Sequence, residues 1–232
     1  MALRSRKNQK SLTTQEWDDF VDAIDQTHGV AAAPPAYRAF VKVHVKAMLS
    51  SGMSWGVHTM PMMGMRGRNF LAWHRLFLLR FEDRLRLVHP KIAIPYWDTL
   101  ASPSIPARLK STILLKKWSV DRAWDASRLP APADLARANA QGTFTDFQSE
   151  LELGLHGAVH NAVGGDMADR GSPTDPVFWL HHANIDRIWG KWQKKNPGEN
   201  PPNQAEVLEP SPMFGQPVSN LLDIAKLSYR YA

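Results

Sequence analysis

The chain has 232 residues, of which 44% are hydrophobic and 22% are charged, so it is long enough to form one globular domain, residues 1–232, with a sizeable core. It contains no cysteine, which excludes disulfides, thiolate metal ligands and cysteine nucleophiles. The net charge of +6 is spread along the sequence without a recognition motif, so we expect no nucleic-acid partner.

The N-terminal segment, "MALRSRKNQKSLTTQEW", is basic but has no apolar stretch of the kind found in a secretory signal peptide. No apolar run elsewhere approaches the ~18 residues that cross a membrane. We therefore expect a chain that is cytoplasmic as synthesised and has no membrane partner, with export together with a partner protein as an open alternative.

Four later segments show helical periodicity, at 36–48, 69–88, 145–163 and 175–189. Thr145 and Gln148 have the spacing of a capping box and predict where the third helix begins. Asp175 and Pro176 are typical of a helix start, and Gly190 is the first helix-breaking residue after them. Residues 99–143 are rich in Pro, Ala and basic side chains, which predicts loops with short helices. The fold class is therefore mainly α, with a central four-helix bundle, long loops and little strand.

Each of the four segments carries a histidine on its apolar face: His44, His74, His156 with His160, and His182. In the pair of adjacent histidines, His182 shares a line with Phe178 and Asp186, whereas His181 points about 100° away. That line makes Asp186 a candidate to orient the His182 ring. A single buried histidine on such a face is usually a core residue with a hydrogen-bond partner. Five histidines on four facing helices instead predict a buried metal site.

Neutral imidazole is a ligand for copper or zinc rather than for magnesium or calcium. Five or six histidines exceed what one tetrahedral ion needs, and three for each of two ions fit better. A helical zinc hydrolase remains an alternative, because His156 and His160 have the spacing of a zinc-binding helix. The glutamate that would directly follow the first histidine of such a helix is absent.

Four motifs carry a resemblance to the tyrosinase family of type-3 copper proteins, particularly its short bacterial members. They are "FLAWHRLFLLRFE", "IPYWD", "LHGAVHNAVGGDM" and "SPTDPVFWLHHANIDRIWGKWQ". The similarity extends from "RKNQ" at residues 6–9 to "YRY" at residues 229–231. It implies two copper ions, one held by His44, His58 and His74, and the other held by His156, His160 and His182. His181 would then be a neighbour of the site rather than a ligand.

The resemblance also implies a reaction, in which small phenolic substrates are oxidised with O2 as co-substrate. O-diphenols would become o-quinones, and monophenols would first be hydroxylated at the ortho position. Glu152 matches the glutamate that positions a water as base, although Gly154 can interrupt the helix between it and His156. The family's partner asparagine is replaced by Gly157, and Asn161 is the candidate substitute. This departure predicts weak monophenol hydroxylation.

The remaining implications concern neighbouring residues. Phe178 should pack beside the metal centre, Asp186 or Asp98 should orient groups around it, and Arg6 should stack near Tyr229 and Tyr231. For Asp98 the simpler alternative to an orienting role is an ordinary salt bridge at the surface. The loop after His58 has four methionines, which can pack against the core or offer thioethers to copper during loading. They are Met60, Met62, Met63 and Met65.

Two further expectations concern function. A haemocyanin-like oxygen carrier would share the dicopper site but cover it with an added domain, and we expect the single residue after Tyr231 in this sequence to supply none. A separate protein can deliver the copper or assist export.

Overall fold

The computed structural model describes residues 3–29, 35–49, 52–59, 67–211 and 213–232. Its α-helices are α1 Thr14–His28, α2 Tyr37–Ala47, α3 Phe70–Arg86, α4 Thr112–Trp118, α5 Pro132–Asn139, α6 Phe144–Leu151, α7 Gly157–Val163 and α8 Val177–Lys195. The strands are β1 Arg4–Arg6 and β2 Tyr229–Tyr231. The mainly helical fold class is thereby confirmed, and no helix in the described ranges is both long and apolar enough to span a membrane.

The first helix, α1, was not predicted, although its signals are in the sequence. The Thr13 hydroxyl accepts from the Glu16 amide and the Glu16 carboxylate accepts from the Thr13 amide, which together form a capping box. Trp17, Phe20 and Ile24 recur at helical spacing and are buried. The helix thus covers one side of the core through a regular apolar face.

The core forms where α3 lies along α8, with α2 and the α6–α7 segment packed beside them. The Phe81 and Trp179 rings stack with centroids 3.8 Å apart and both are buried. The predicted loop region contains α4 and α5 as its short helices, as expected. The long helix α8 continues through Gly190 to Lys195, because the residues beyond Gly190 keep their helical packing; Trp192, for example, is buried.

The start of α6 differs from the prediction. Thr143, rather than Thr145, caps the helix by accepting from the Asp146 amide. Gly154 does not end the helix either, because residues Glu152–His156 form a π-helical turn that joins α6 to α7. A π turn inserts an extra residue into a helix and is frequent at functional sites. Here it leaves both Glu152 and His156 buried on the inner side.

The two strands pair in parallel, with Arg4 opposite Tyr229 and Arg6 opposite Tyr231. The Arg6 guanidinium lies over the Tyr229 ring, 4.0 Å from its centroid, which confirms the predicted stacking. Arg6 also donates to the buried Glu82 carboxylate on α3 and to Asp186 on α8. Because a buried charge is costly unless it is paired, this network fixes the strands to the two central helices.

Candidate metal centre

The first predicted triad is assembled in the structure. His44 on α2, His58 in the loop before α3, and His74 on α3 have ring nitrogens within 4.8 Å of one another. The Nε2 atoms of His44 and His58 lie 3.3 Å apart. Two ring nitrogens that face each other at this distance fit a shared cation, because neutral imidazoles bind metals through a free lone pair.

The second cluster combines the π turn, α7 and α8. His156 and His160 are four residues apart, and their ring centroids are 4.4 Å apart. The ring nitrogens of His156, His160 and His181 lie within 4.8 Å of one another. The Nε2 of His182 lies 3.3 Å from the Nε2 of His160. The structure therefore brings both adjacent histidines of α8 to this cluster.

The choice of His182 as third ligand stays a prediction, and two observations favour it. Its Nε2 approaches His160 as closely as His58 approaches His44. Its ring also stacks on His74 of the first triad, with centroids 4.2 Å apart, so it lies between the two clusters. His181 is fully buried, and neither of its ring nitrogens has a hydrogen-bond partner among the described residues.

Four imidazoles are oriented by backbone carbonyl groups. The Nδ1–H of His44 donates to Arg170 O at 2.7 Å, and that of His160 donates to Met167 O at 2.6 Å. His74 and His156 donate from Nδ1 to the carbonyl four residues earlier in their own helices, at 2.8 and 3.0 Å. A carbonyl only accepts, so the proton must be on Nδ1, and Nε2 is left as the free ligand atom.

Burial keeps these rings neutral. It lowers the pKa of His44, His74, His156 and His182 well below the ordinary value, and neighbouring imidazoles lower it further. Burial lowers the pKa of His160 to about 4. The buried Nε2 atoms of His74 and His156 have no hydrogen-bond partner in the described part of the chain. Neutral rings with unpartnered lone pairs fit a pair of copper ions, one for each cluster.

Glu152 is buried beside the first triad, but its carboxylate is already engaged. Oε1 accepts from the Thr59 amide at 2.7 Å, and Oε2 accepts from the Thr59 hydroxyl at 2.6 Å. Oε1 lies 3.6 Å from Nδ1 of His58. No local pattern in the sequence pointed to Thr59, because its contact with Glu152 joins residues 93 positions apart.

Asn161 and Gly157 both line a cavity of about 420 Å³, and so do histidines from both clusters, namely His44, His58, His156 and His160. Glu152 is not in its wall. The cavity opens to solvent, since its lining includes Asn161 and Arg170, whose side chains are exposed. Asn161 therefore faces the cavity whereas Glu152 does not, and no hydrogen bond joins the two in the described contacts.

Phe178 packs against the centre as expected, because its ring centroid is 4.1 Å from that of His182 and 5.2 Å from that of His44. Asp98 makes the simpler contact, a salt bridge with Arg187 at 2.6 Å. The methionines at 60, 62, 63 and 65 lie outside the described residues.

Asp186 has other partners than His182. It accepts from Arg75 at 2.5 Å and from the Tyr229 and Tyr231 hydroxyls, so the prediction that it orients the His182 ring directly is wrong. Burial alone would raise the pKa of Asp186, but Arg75 and Arg6 lower it below its ordinary value. A charged guanidinium from the facing helix is a stronger partner for this carboxylate than an imidazole one turn away.

Comparison with known proteins agrees with this centre. A family model for the common central domain of tyrosinase matches residues 34–128 and 116–195. A tyrosinase from Streptomyces antibioticus is 33% identical, over 88% of this chain and 90% of that protein. Hemocyanin 2 from Megathura crenulata is 32% identical over 94% of this chain and 7% of its own length. The structure of deoxygenated hemocyanin from Rapana thomasiana matches with a TM-score of 0.79 and 23% identity, covering 100% of this chain and 70% of that one.

A helical core that holds two histidine clusters around one cavity defines the class of type-3 copper proteins, and both clusters can hold a copper ion. The sequence match extends over most of the chain. The chain belongs to the tyrosinase family.

Proposed function

We propose that the chain oxidises o-diphenols to o-quinones with dioxygen and hydroxylates monophenols more slowly. The observation that carries this proposal is the shared cavity, whose wall contains His44 and His58 of the first triad and His156 and His160 of the second. Its volume of about 420 Å³ is in the range of small-molecule sites. A phenol inside it reaches both metal positions from the solvent side.

Each copper would be held by three imidazoles, with His182 as the third ligand of the second site. Two bound copper ions would supply the redox chemistry by which two o-diphenols pass four electrons and four protons to one dioxygen, giving two o-quinones and two waters. The protein supplies fixed ligand geometry through the carbonyl partners of His44 and His160. Phe178 excludes water from the inner side of the centre because it is buried against His182.

The slower step in this proposal is the loss of the monophenol proton. A free phenol has a pKa of about 10 and is therefore protonated at neutral pH. Glu152 is the proposed base, with Asn161 as its partner, and a water must relay the proton because Glu152 lies outside the cavity wall. Both carboxylate oxygens already accept hydrogen bonds from Thr59, which makes them less available as proton acceptors.

A copper-delivery protein forms part of the proposal. Among the described residues His74 and His182 are at most 3% exposed, so an ion in bulk solvent has little direct access to them. Slow or incomplete loading of metal-free protein by a copper salt would support this part. Rapid loading with two copper ions per chain would remove the need for a delivery partner.

The decisive experiment measures copper per chain and then oxygen consumption and quinone formation with catechol. Two copper ions and steady turnover are expected, and zinc-loaded protein is the control because zinc cannot change oxidation state. Reversible oxygen binding without turnover would instead support a carrier, as the similarity to Hemocyanin 2 would suggest. A protein that retains zinc but no copper would overturn the proposal.

A further inference from the structure

Among the six predicted ligands, His58 is the one that does not lie on a helix. It follows a short 3₁₀ turn at Met53–Trp55 and precedes Thr59, the last described residue before Gly67. A helix fixes the position of a side chain through its regular hydrogen bonds, whereas a loop residue must be ordered by other contacts. His58 is nevertheless held with its ring 9% exposed and its Nε2 3.3 Å from that of His44.

We propose that Thr59, Gly67, Gln148 and Glu152 form a clasp whose role is to position His58 for the first copper ion. This inference rests on the proposed function insofar as the ion is copper. In it, Thr59 and Glu152 are positioning residues, which act on the metal through His58. We refer to these four residues as the His58 clasp.

The centre of the His58 clasp is a two-point contact between Thr59 and Glu152. The Thr59 amide and hydroxyl donate to different oxygens of one carboxylate, at 2.7 and 2.6 Å. Hydrogen bonds to a charged acceptor are about twice as strong as those between neutral groups. The contact lies one residue from His58, so it fixes the backbone that carries the imidazole. The same carboxylate lies 3.6 Å from Nδ1 of that ring.

Gly67 and Gln148 complete the clasp on the other side. The Gly67 amide donates to the Thr59 hydroxyl at 2.9 Å, and the Gln148 side chain donates to the Gly67 carbonyl at 2.9 Å. The side-chain oxygen of Gln148, Oε1, also accepts from the Leu71 amide at 3.1 Å, near the start of α3. The two chain segments that flank residues 60–66 are thus joined to each other and to α6.

The position of Gly67 requires glycine because of this close approach. A Cβ atom there would lie 2.7 Å from the Thr59 nitrogen, 2.8 Å from Glu152 Oε2 and 2.9 Å from the His58 carbonyl carbon. Two of these three atoms belong to the backbone, so the segment carrying His58 would have to move. Any larger residue at position 67 would therefore displace His58 from its place in the first triad.

Two substitutions separate the clasp from the proposed role of Glu152 as a base. Thr59→Val removes the hydroxyl bonded to Glu152 and Gly67 but leaves the carboxylate in place. Glu152→Gln removes the charge, yet its amide can still accept from the Thr59 amide and donate to the Thr59 hydroxyl. Thr59→Ser restores the hydroxyl. The matched control is Thr27→Val, which removes a buried hydroxyl bonded to Ala23 O on α1.

The test measures copper retention against a competing chelator, which does not depend on turnover. Thr59→Val should lower the affinity for one of the two copper ions by about 10–100-fold. This is the usual effect of changing a group that orients a metal ligand. Thr59→Ser and Thr27→Val should retain both ions as the unaltered protein does, and Glu152→Gln should lose less affinity than Thr59→Val. Adding Thr59→Val to His58→Ala should cause no further loss, because the clasp acts through His58.

Two results would overturn the inference. One is equal copper retention by Thr59→Val and Thr27→Val. The other is that Thr59→Val lowers the copper affinity as much in the His58→Ala background as it does in the unaltered protein. A protein that retains two copper ions but does not oxidise catechol would contradict the proposed function alone, and the effect of Thr59→Val on its copper retention would still decide the inference.

Discussion

The two halves of the metal centre obtain the same kind of ligand in different ways. In the second half every candidate ligand lies on the π turn, α7 or α8, and the spacing along the helix sets the separation of the rings. In the first half α2 and α3 supply two rings, while the third comes from a loop held by side-chain and backbone hydrogen bonds. A helical ligand is positioned by its own element, whereas a loop ligand depends on contacts with residues far away in the sequence.

One short segment joins the halves. Arg170 O accepts from His44 and Met167 O accepts from His160, so a single stretch of backbone orients one ligand of each copper. The same stretch lines the cavity. Damage to one half should therefore be visible as a change in the number of copper ions bound per chain. Oxidation of a diphenol should require both halves to be intact.

The largest expected effect is in the second half, at His182. His182→Ala should remove one copper ion and abolish catechol oxidation, because the remaining two imidazoles leave that ion incompletely held. His181→Ala should lower stability or rate while two copper ions stay bound. Copper per chain and oxygen uptake measure both. His89→Ala is the matched control, because His89 bonds to Asp22 on the surface and is absent from the cavity wall.

The reverse result, in which His181→Ala loses an ion and His182→Ala keeps both, would assign the third ligand to His181. It would agree with the close grouping of His181 with His156 and His160. The argument from the face of the helix would then be wrong.

In the first half, His58→Ala should lower the occupancy of one site and leave the other filled. The expected stoichiometry is close to one copper ion per chain, because the second cluster has separate supporting elements. Met65→Leu should retain both ions, and metal analysis of the two variants in parallel tests the comparison. Loss of copper in Met65→Leu alone would mean that a thioether, rather than His58, completes the first triad.

A smaller effect is expected on the balance of the two activities. Gly157→Asn should raise the ratio of monophenol to diphenol turnover, by up to about 10²-fold if it restores a well-placed base. A Cβ at this position would lie 3.5 Å from Glu152 O, which is an ordinary contact. Glu152→Gln should lower the ratio. Gly142→Asn, where an added Cβ meets nothing within 4 Å, is the control. An unchanged ratio in Gly157→Asn would leave Asn161 as the partner of Glu152.

The smallest expected effect concerns His28, which belongs to neither half of the metal centre. It therefore shows the effect of burial on a histidine without any contribution from a bound metal. Its ring stacks on Tyr37 with centroids 3.9 Å apart, and burial lowers its pKa to about 4. Since the unfolded chain binds a proton at His28 near pH 6.5 and the folded chain does not, this group reduces stability as the pH falls from about 6.5 to 4. His28→Phe should therefore flatten the pH dependence of unfolding in that window, measured on metal-free protein. An unchanged slope would contradict this.

The features that the sequence predicted well are those that repeat within one element. Helical spacing places His44, His74 and His156 on inner faces because each face follows from residues three or four apart. The start of α6 was predicted at Thr145, whereas the hydroxyl of Thr143, two residues earlier, caps the helix. The π turn was not predicted because one extra residue in a helix leaves no distinct pattern in the sequence.

The features that were missed depend on distant residues. The pairing of Thr59 with Glu152 and the salt bridge of Arg75 with Asp186 join positions 93 and 111 residues apart. Such contacts are fixed by the fold as a whole and not by any local pattern. The spacing of four between His182 and Asp186 indicated a contact that the stronger pairing with Arg75 replaces.

The pairing of β1 with β2 has a consequence for the order of events during synthesis. Arg6 donates to the Tyr231 hydroxyl across 225 residues, and the same network includes Glu82 on α3 and Asp186 on α8. Contacts between such distant residues form late in folding, because the intervening chain must first be made and ordered. We therefore expect the contacts that join the two central helices to β1 and β2 to form only after β2 has been synthesised. Stable metal capture is then expected to follow synthesis of the whole chain rather than to accompany it.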